Sequence, residues 1–194
     1  MNATHHQIVL ASSSPRRREL LEQAGVVFSV VVSGCDETPV SGESPQQMVE
    51  RLALAKASTV ADNHQSSLVI GADTTVCIDG EALGKPETSK EAEAMLAKIA
   101  GRTHQVWGGV ALVHRDLNLR QVWSHVTEVT MAPMSADTIA RYVKSGEPMD
   151  KAGAYAIQGL GLQFVDRIQG SYSNVVGLNI SALIERLKGL GAVR

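Results

Sequence analysis

Aromatic residues are scarce in this 194-residue chain, at 4%. The stacking platforms that single-strand nucleic-acid binders lay along a groove need more of them. Eighteen lysines and arginines stand against 20 acidic residues, and a net charge of −2 supplies no general pull towards a polyanion. A nucleic-acid partner is therefore not expected. No apolar run approaches the ~20 residues that cross a bilayer, so no membrane partner is expected either. The polar N-terminus MNATHHQ has no signal-peptide core, and the two cysteines, Cys35 and Cys77, lack CxxC spacing. Reduced thiols in a cytoplasmic protein are the expectation, with packing as their role.

Several motifs are missing as well. There is no GxxxxGK[ST] loop and no GxGxxG after a strand, which leaves the P-loop and dinucleotide-binding readings without support. The six histidines are scattered without HExxH, and no GxSxG elbow occurs, so neither a zinc site nor a serine-hydrolase triad is indicated. What remains is an ordinary globular composition, 44% hydrophobic and 20% charged, long enough for one substantial core. A single domain over residues 1–194 is expected.

Residues 8–11 read as a short buried strand, and Leu20, Leu21 and Ala24 as the stripe of a helix stopping before Gly25. Ser14 is the expected N-cap, with Pro15 at the first helical position. A second strand is expected over 28–32, followed by the acidic turn Cys35-Asp36-Glu37. Ser44-Pro45-Gln46-Gln47 is a capping box opening a helix to about Ala61, with Met48, Leu52, Ala55 and Thr59 on one face. Residues 68–70 form a buried strand that runs into Gly71-Ala72-Asp73-Thr74-Thr75 and resumes over 76–78, and Asp79-Gly80 marks a hairpin. A helix over 89–99 with Gly101 as its stop is followed by two long strands, 104–113 and 119–131, and a helix from Ser135 to before Gly146. Residues 147–161 read as an ordered loop, 162–168 as a last strand and 180–188 as a final helix. Early alternation followed by a hairpin indicates an α/β protein with a mixed sheet.

The chemistry gathers in a few places. The stretch ASSSPRRREL puts Arg16, Arg17 and Arg18 in the first turn of a helix. Cations there oppose the helix dipole by roughly 0.3–1 kcal/mol each at an exposed site. An anion held by the arginines and the free backbone N–H groups would reverse that sign; a solvated basic surface with Glu19 and Glu22 as partners is the alternative. Asp73 follows a strongly apolar strand, where a carboxylate is costly to bury unless it is paired or binds metal. Otherwise it caps or turns the chain. Asp36 and Glu37 also follow an apolar strand, where a lone acidic turn is more often just solvated. Two strand-end carboxylate positions suit Mg²⁺, which takes one or two carboxylates plus substrate phosphates. Lys56 falls in a helical arc with Val49, Leu52 and Val60, where it either snorkels to solvent or faces a site. Lys85 lies in the turn Leu83-Gly84-Lys85-Pro86. Together these describe a site for a metal-bound phosphate chain.

Five motifs occur in order: Leu10-Ala-Ser-Ser-Ser-Pro-Arg-Arg17, Gly71-Ala-Asp-Thr-Thr75, Leu83-Gly-Lys-Pro86, Asp150-Lys-Ala-Gly-Ala-Tyr-Ala-Ile-Gln-Gly159 and Gly170-Ser-Tyr-Ser-Asn-Val-Val-Gly-Leu178. On these the chain resembles, nearly end to end, the Maf (septum-formation-inhibitor-like) family of nucleoside triphosphate pyrophosphatases. The resemblance implies a cytoplasmic enzyme that cleaves a nucleoside triphosphate to the monophosphate and pyrophosphate with a divalent cation, Mg²⁺, Mn²⁺ or Co²⁺. It further implies an elongated α/β body with a mixed sheet flanked by helices, two lobes around a nucleotide cleft, and a homodimer in many members. The GADT and DKAGAYxIQG motifs resemble the branch acting on dTTP and UTP, with modified pyrimidine nucleotides as further candidates and nucleotide-pool housecleaning as the role. The branch acting on 7-methyl-GTP carries Ser-Asp-Gln and a Glu near position 158 instead.

Residue by residue, Asp73 matches the family's proton acceptor, and Arg16, Thr74 and Gln158 match positions that set substrate choice. Ser12, Arg17, Glu37, Lys56 and Lys85 match cleft positions. Metal would fall to Asp73 and Glu37, and whether Asp73 is base or ligand stays open. A nucleotide-switched regulator of cell division, the role in the family's name, is the alternative to an enzyme. Ser13 stands where glycine is common and would stiffen the phosphate loop; Asn179 stands where proline often follows and reads as a helix start. Arg18 is expected to face solvent, because consecutive helical residues are turned by about 100°.

Overall fold

The computed structural model describes residues 7–193, so residues 1–6 of the polar N-terminus lie outside the described residues. Along the chain come β1 (Ile8–Ala11), α1 (Pro15–Gln23), β2 (Phe28–Val30), α2 (Pro45–Ala61), β3 (Leu68–Ile78), β4 (Glu81–Leu83) and α3 (Ser89–Ile99). Then follow β5 (Thr103–His114), β6 (Leu119–Met131), α4 (Ala136–Lys144), β7 (Val165–Gln169), α5 (Tyr172–Val176) and α6 (Ile180–Gly189). The strands form a mixed sheet in the order β2-β1-β3-β5-β6-β7, with β4 on β3. β1 runs parallel to β2 and β3, while β4 and β7 run antiparallel to β3 and β6. The expected α/β class with a mixed sheet and flanking helices is what the chain adopts. Among the described residues, no helix is long and apolar enough to cross a membrane.

The chain divides into two compact units. Among the described residues, the first holds 7–73, Gly108–His125 and 177–193; the second holds Thr74–Trp107 and Val126–Val176. In the first unit, Ala53, Ala57, Val60 and Ala61 of α2 pack on Val9, Ala11, Val69, Ala111 and Val113 of the strands. The approach is close. A Cβ built on Gly71 would stand 2.1 Å from the Ala53 carbonyl oxygen, and one on Gly109 2.2 Å from that of Val49. The buried face of α2 is therefore Val49, Leu52, Ala53, Lys56, Ala57, Val60 and Ala61. The expected stripe through Met48, Ala55 and Thr59 is turned aside, because the helix presents its smallest side chains to the strand glycines. Thr59 is exposed and its hydroxyl donates to the Ala55 carbonyl at 2.9 Å.

Other boundaries moved for local reasons. β2 ends at Val30, and Val31 makes one further backbone bond, to the Leu10 carbonyl, before the chain leaves the sheet. β3 is continuous through Thr74 and Thr75, buried at all positions but Thr74. Asp79 and Gly80, at φ 54° and 79°, make its hairpin to β4. In the second unit, the 147–161 loop contains short 3-10 turns, and one over Leu160–Phe164 delays β7 to Val165. α5 was not expected. Asn174 holds it, donating through Nδ2 to the Val106 carbonyl and Thr127 Oγ1, both at 3.1 Å. The Asn179 side chain caps α6 as a helix start should, and both cysteines are free thiols, Cys77 buried and Cys35 half-buried.

His104 on β5 is 1% exposed, with Nε2 2.8 Å from the Tyr155 hydroxyl and the rings edge to face at 5.3 Å. Burial lowers its pKa from 6.5 to about 4. The unfolded chain thus binds this proton below pH 6.5 while the folded chain refuses it until about 4. Stability should fall as pH drops through that window, by on the order of 3 kcal/mol from this group. Urea denaturation should show His104→Gln losing that much less than wild type between pH 7 and pH 4. Parallel losses in the two proteins would contradict a neutral, buried His104.

Candidate active site

Gly71 and Asp73 lie two residues apart on β3 and so project from one face, the face that α2 covers. The missing Cβ at Gly71 lets α2 settle, and Lys56, one turn beyond Ala53, meets Asp73. Its Nζ donates to Asp73 Oδ1 at 2.7 Å and to Glu37 Oε2 at 2.8 Å. Lys56 and Asp73 are each 7% exposed, whereas Glu37 lies exposed on the loop after β2. Lys56 does not snorkel. Two carboxylates hold its charge inside, where removing either partner from a buried pair leaves an uncompensated charge.

The same unit carries a second group at the start of α1. Ser14 caps the helix, its Oγ accepting from Arg17 N at 3.5 Å, with Pro15 following. Ser12 Oγ accepts from Ser14 N at 3.1 Å and from Arg17 Nη1 at 3.3 Å. Arg17 Nε donates to the Gly177 carbonyl at 3.0 Å. Gly177 has φ 141°, a backbone that side-chain-bearing residues rarely adopt. Desolvation pulls the Arg17 pKa down, Asp73 pulls it up, Arg16 adds to the fall and Glu37 opposes it. A guanidinium stays charged under such shifts, so Arg17 brings a fixed cation into the field of both carboxylates. Arg16 is half-buried, while Arg18 is exposed and paired with Glu22 at 3.0 Å, as its helical position required. No acidic residue occupies the first turn of α1, so the dipole and the arginines add up to an anion-attracting end.

Of the residues named from sequence, the first unit brings together Ser12, Arg17, Glu37, Lys56 and Asp73, with Arg16 on the same helical turn. Thr74, Lys85 and Gln158 belong to the second unit. Thr74 is half-buried, and Lys85 and Gln158 are exposed. Two glycines escaped the sequence reading as site-building residues. Gly71 had a usable signal, since glycine inside a fully apolar strand marks close backbone approach. Gly177 had none, because its contact with Arg17 joins positions 160 residues apart.

The donor set bears on metal. Among the described residues, no group of three or more His, Cys, Asp and Glu side chains is gathered to hold an ion by itself. Asp73 and Glu37 converge on one cation, the Lys56 ammonium, with oxygen donors only. Such a pair fits a hard divalent cation that completes its shell with phosphate oxygens.

The fold has a known counterpart. The structure of the Staphylococcus aureus Ham1 protein superposes with a TM-score of 0.52 at 18% identity, covering 94% of this chain and 98% of that one. At that identity the likeness concerns fold alone. Residues 7–190 match the family of Maf-like proteins, and the chain belongs to it. Curated relatives named dTTP/UTP pyrophosphatase occur in Symbiobacterium thermophilum, 50% identical over 95% of this chain and 94% of that protein, and in Pelotomaculum thermopropionicum, 47% over 95% and 97%. Another with that name, in Bacillus anthracis, is 48% identical over 94% of both chains.

Gly71→Ala tests how the site is built. The added methyl meets helix backbone, which cannot swing aside as a side chain can. Overpacking typically costs about 1–3 kcal/mol, occasionally more, and this position should reach at least the upper end. Urea unfolding gives the value; stability equal to wild type would show that α2 is not held by this contact.

Proposed function

We infer that this chain is a nucleoside triphosphate pyrophosphatase that hydrolyses dTTP and UTP to the monophosphate and pyrophosphate. The observation that carries the reading is Lys56 held between Asp73 and Glu37, in a unit whose α1 begins with Ser12, Arg16 and Arg17. A buried carboxylate, an inward lysine and an anion-attracting helix start suit a metal-bound polyphosphate better than any neutral ligand. The names of relatives at 47–50% identity support the pyrimidine substrates.

Asp73 accepts the proton of the water that attacks the α-phosphorus. Its Oδ1 takes the hydrogen bond from Lys56, which fixes the carboxylate and leaves Oδ2 to receive that proton. Lys56 keeps the base in one orientation and offsets the negative charge of carboxylates and substrate alike. Ser12, Arg16, Arg17 and Lys85 hold the phosphate chain and stabilise pyrophosphate as it leaves, the positioning and charge stabilisation on which phosphoryl transfer depends. A divalent cation, Mg²⁺, Mn²⁺ or Co²⁺, would be held by Glu37 and by Asp73 through Oδ1, leaving Oδ2 as the base, and would neutralise phosphate oxygens. Arg16, Thr74 and Gln158 set substrate choice. The Gln158 amide offers one acceptor and two donors, which match the N3–H and O4 edge of thymine or uracil. The enzyme belongs in this reading to the cytoplasm, as a homodimer that clears the nucleotide pool.

Steady-state kinetics on dTTP, UTP and GTP test it with two variants. Asp73→Asn should lower turnover of every substrate about 10²–10⁴-fold, the range for losing a general base, without unfolding the protein. Gln158→Glu should lower kcat/KM for dTTP and UTP more than for GTP, because a carboxylate cannot donate to O4. Near-wild-type turnover by Asp73→Asn would remove Asp73 from the chemistry. An equal fractional loss on all three nucleotides would deny Gln158 its part in reading the base.

A further inference from the structure

Gln158 stands exposed between two short 3-10 turns, Ala152–Ala154 and Leu160–Phe164, on a segment with no strand or long helix of its own. An amide that reads a base edge must be held in place, since a misplacement of about 1 Å can cost 10²-fold in rate. One carboxylate does much of the holding. Glu147 Oε2 accepts from Leu160 N at 2.9 Å, while its Oε1 accepts from Gly161 N at 2.9 Å and from the Tyr142 hydroxyl at 2.7 Å. The Tyr142 oxygen in turn accepts from Ala156 N at 3.1 Å. The chain is thus fastened two residues before Gln158 and again two and three residues after it.

The glycines around Gln158 make room for these groups. A Cβ on Gly159, at φ 123°, would lie 2.4 Å from Glu147 Oε2. One on Gly161 would lie 2.6 Å from the Tyr142 hydroxyl and 2.3 Å from the Ala156 carbonyl oxygen. Tyr142 is itself fixed on α4, buried and edge to face with Phe164 at 5.1 Å. Lys151 Nζ donates to the Glu147 carbonyl at 2.9 Å and secures the backbone beneath the carboxylate. Burial alone would raise the Glu147 pKa, but the bonds from Leu160, Tyr142 and Gly161, with Lys151 nearby, bring it below the ordinary range. The group is a charged acceptor, and charge-assisted hydrogen bonds are the strong ones.

We propose that Glu147 and Tyr142 are positioning residues for Gln158, and that this clamp sets the preference for pyrimidine over purine triphosphates. The inference rests on the base-reading role of Gln158. Glu147→Gln replaces one accepting oxygen with an NH₂ that faces a donor, and Tyr142→Phe removes the hydroxyl that links carboxylate to Ala156.

The experiment is a double-mutant cycle. kcat/KM for dTTP, UTP and GTP is measured on wild type, Glu147→Gln, Tyr142→Phe, Gln158→Ala and the two doubles with Gln158→Ala, with Tm recorded for each. Coupled contacts fail to add. Glu147→Gln should lower the dTTP-to-GTP ratio by roughly 10-fold, Tyr142→Phe less, and neither should lower it further once Gln158 is alanine. Should Glu147→Gln be unfolded at the assay temperature, the Tyr142→Phe arm decides the outcome. If Gln158→Ala loses selectivity while the clamp variants depress all three substrates equally, or add in full to Gln158→Ala, the clamp is wrong and the base-reading role stands. If Gln158→Ala leaves the ratio unchanged, the base-reading role fails and the clamp with it.

Discussion

The Lys56 ammonium, buried beneath α2 and bonded to Asp73 and Glu37, is the contact on which the rest of the first unit depends. A lone ammonium or a lone carboxylate at that depth would be strongly disfavoured, and each exists there because of the other. Their meeting is a consequence of packing. α2 presents alanines to strands that carry glycine at Gly71 and Gly109, so helix and sheet approach more closely than side chains would allow. A long lysine stem on that face then ends beside Asp73, and no loop is needed to bring them together.

The two units use different devices to hold functional side chains. In the first, Lys56 and Asp73 sit on a regular helix and strand, where geometry follows from core packing. In the second, Gln158 lies on an irregular segment, and single side chains do the work that repeating backbone bonds do elsewhere. The proposed division, with chemistry on rigid elements and discrimination on a connecting segment, is a common one, because connections change without disturbing a core. His104 and Tyr155, joined at 2.8 Å, anchor the same segment from β5.

Much of this was legible in the sequence where local rules act alone. The caps at Ser14, Ser44 and Ser135, the Asp79-Gly80 hairpin and the helix after Asn179 are set by a few neighbouring residues. The helical arc through Val49, Leu52, Lys56 and Val60 also identified the right face, because burial follows period. The stripe through Met48, Ala55 and Thr59 misled, since hydrophobic character says nothing about which side chains are small enough for a close approach. α5 depends on Asn174 reaching Val106 and Thr127, far away in sequence. The Glu147 clamp was hidden for the same reason, although its glycines were in plain view.

Lys56→Met gives the most direct test of the account. Methionine keeps much of the apolar stem and removes the ammonium, leaving Asp73 buried without its partner. kcat for dTTP, normalised to the folded fraction, should fall by about 10²–10³, the scale for losing one preorganised charge-stabilising donor. A folded Lys56→Met protein that turns over dTTP at the wild-type rate would contradict it, and would make Lys56 a packing residue rather than the pivot of the site.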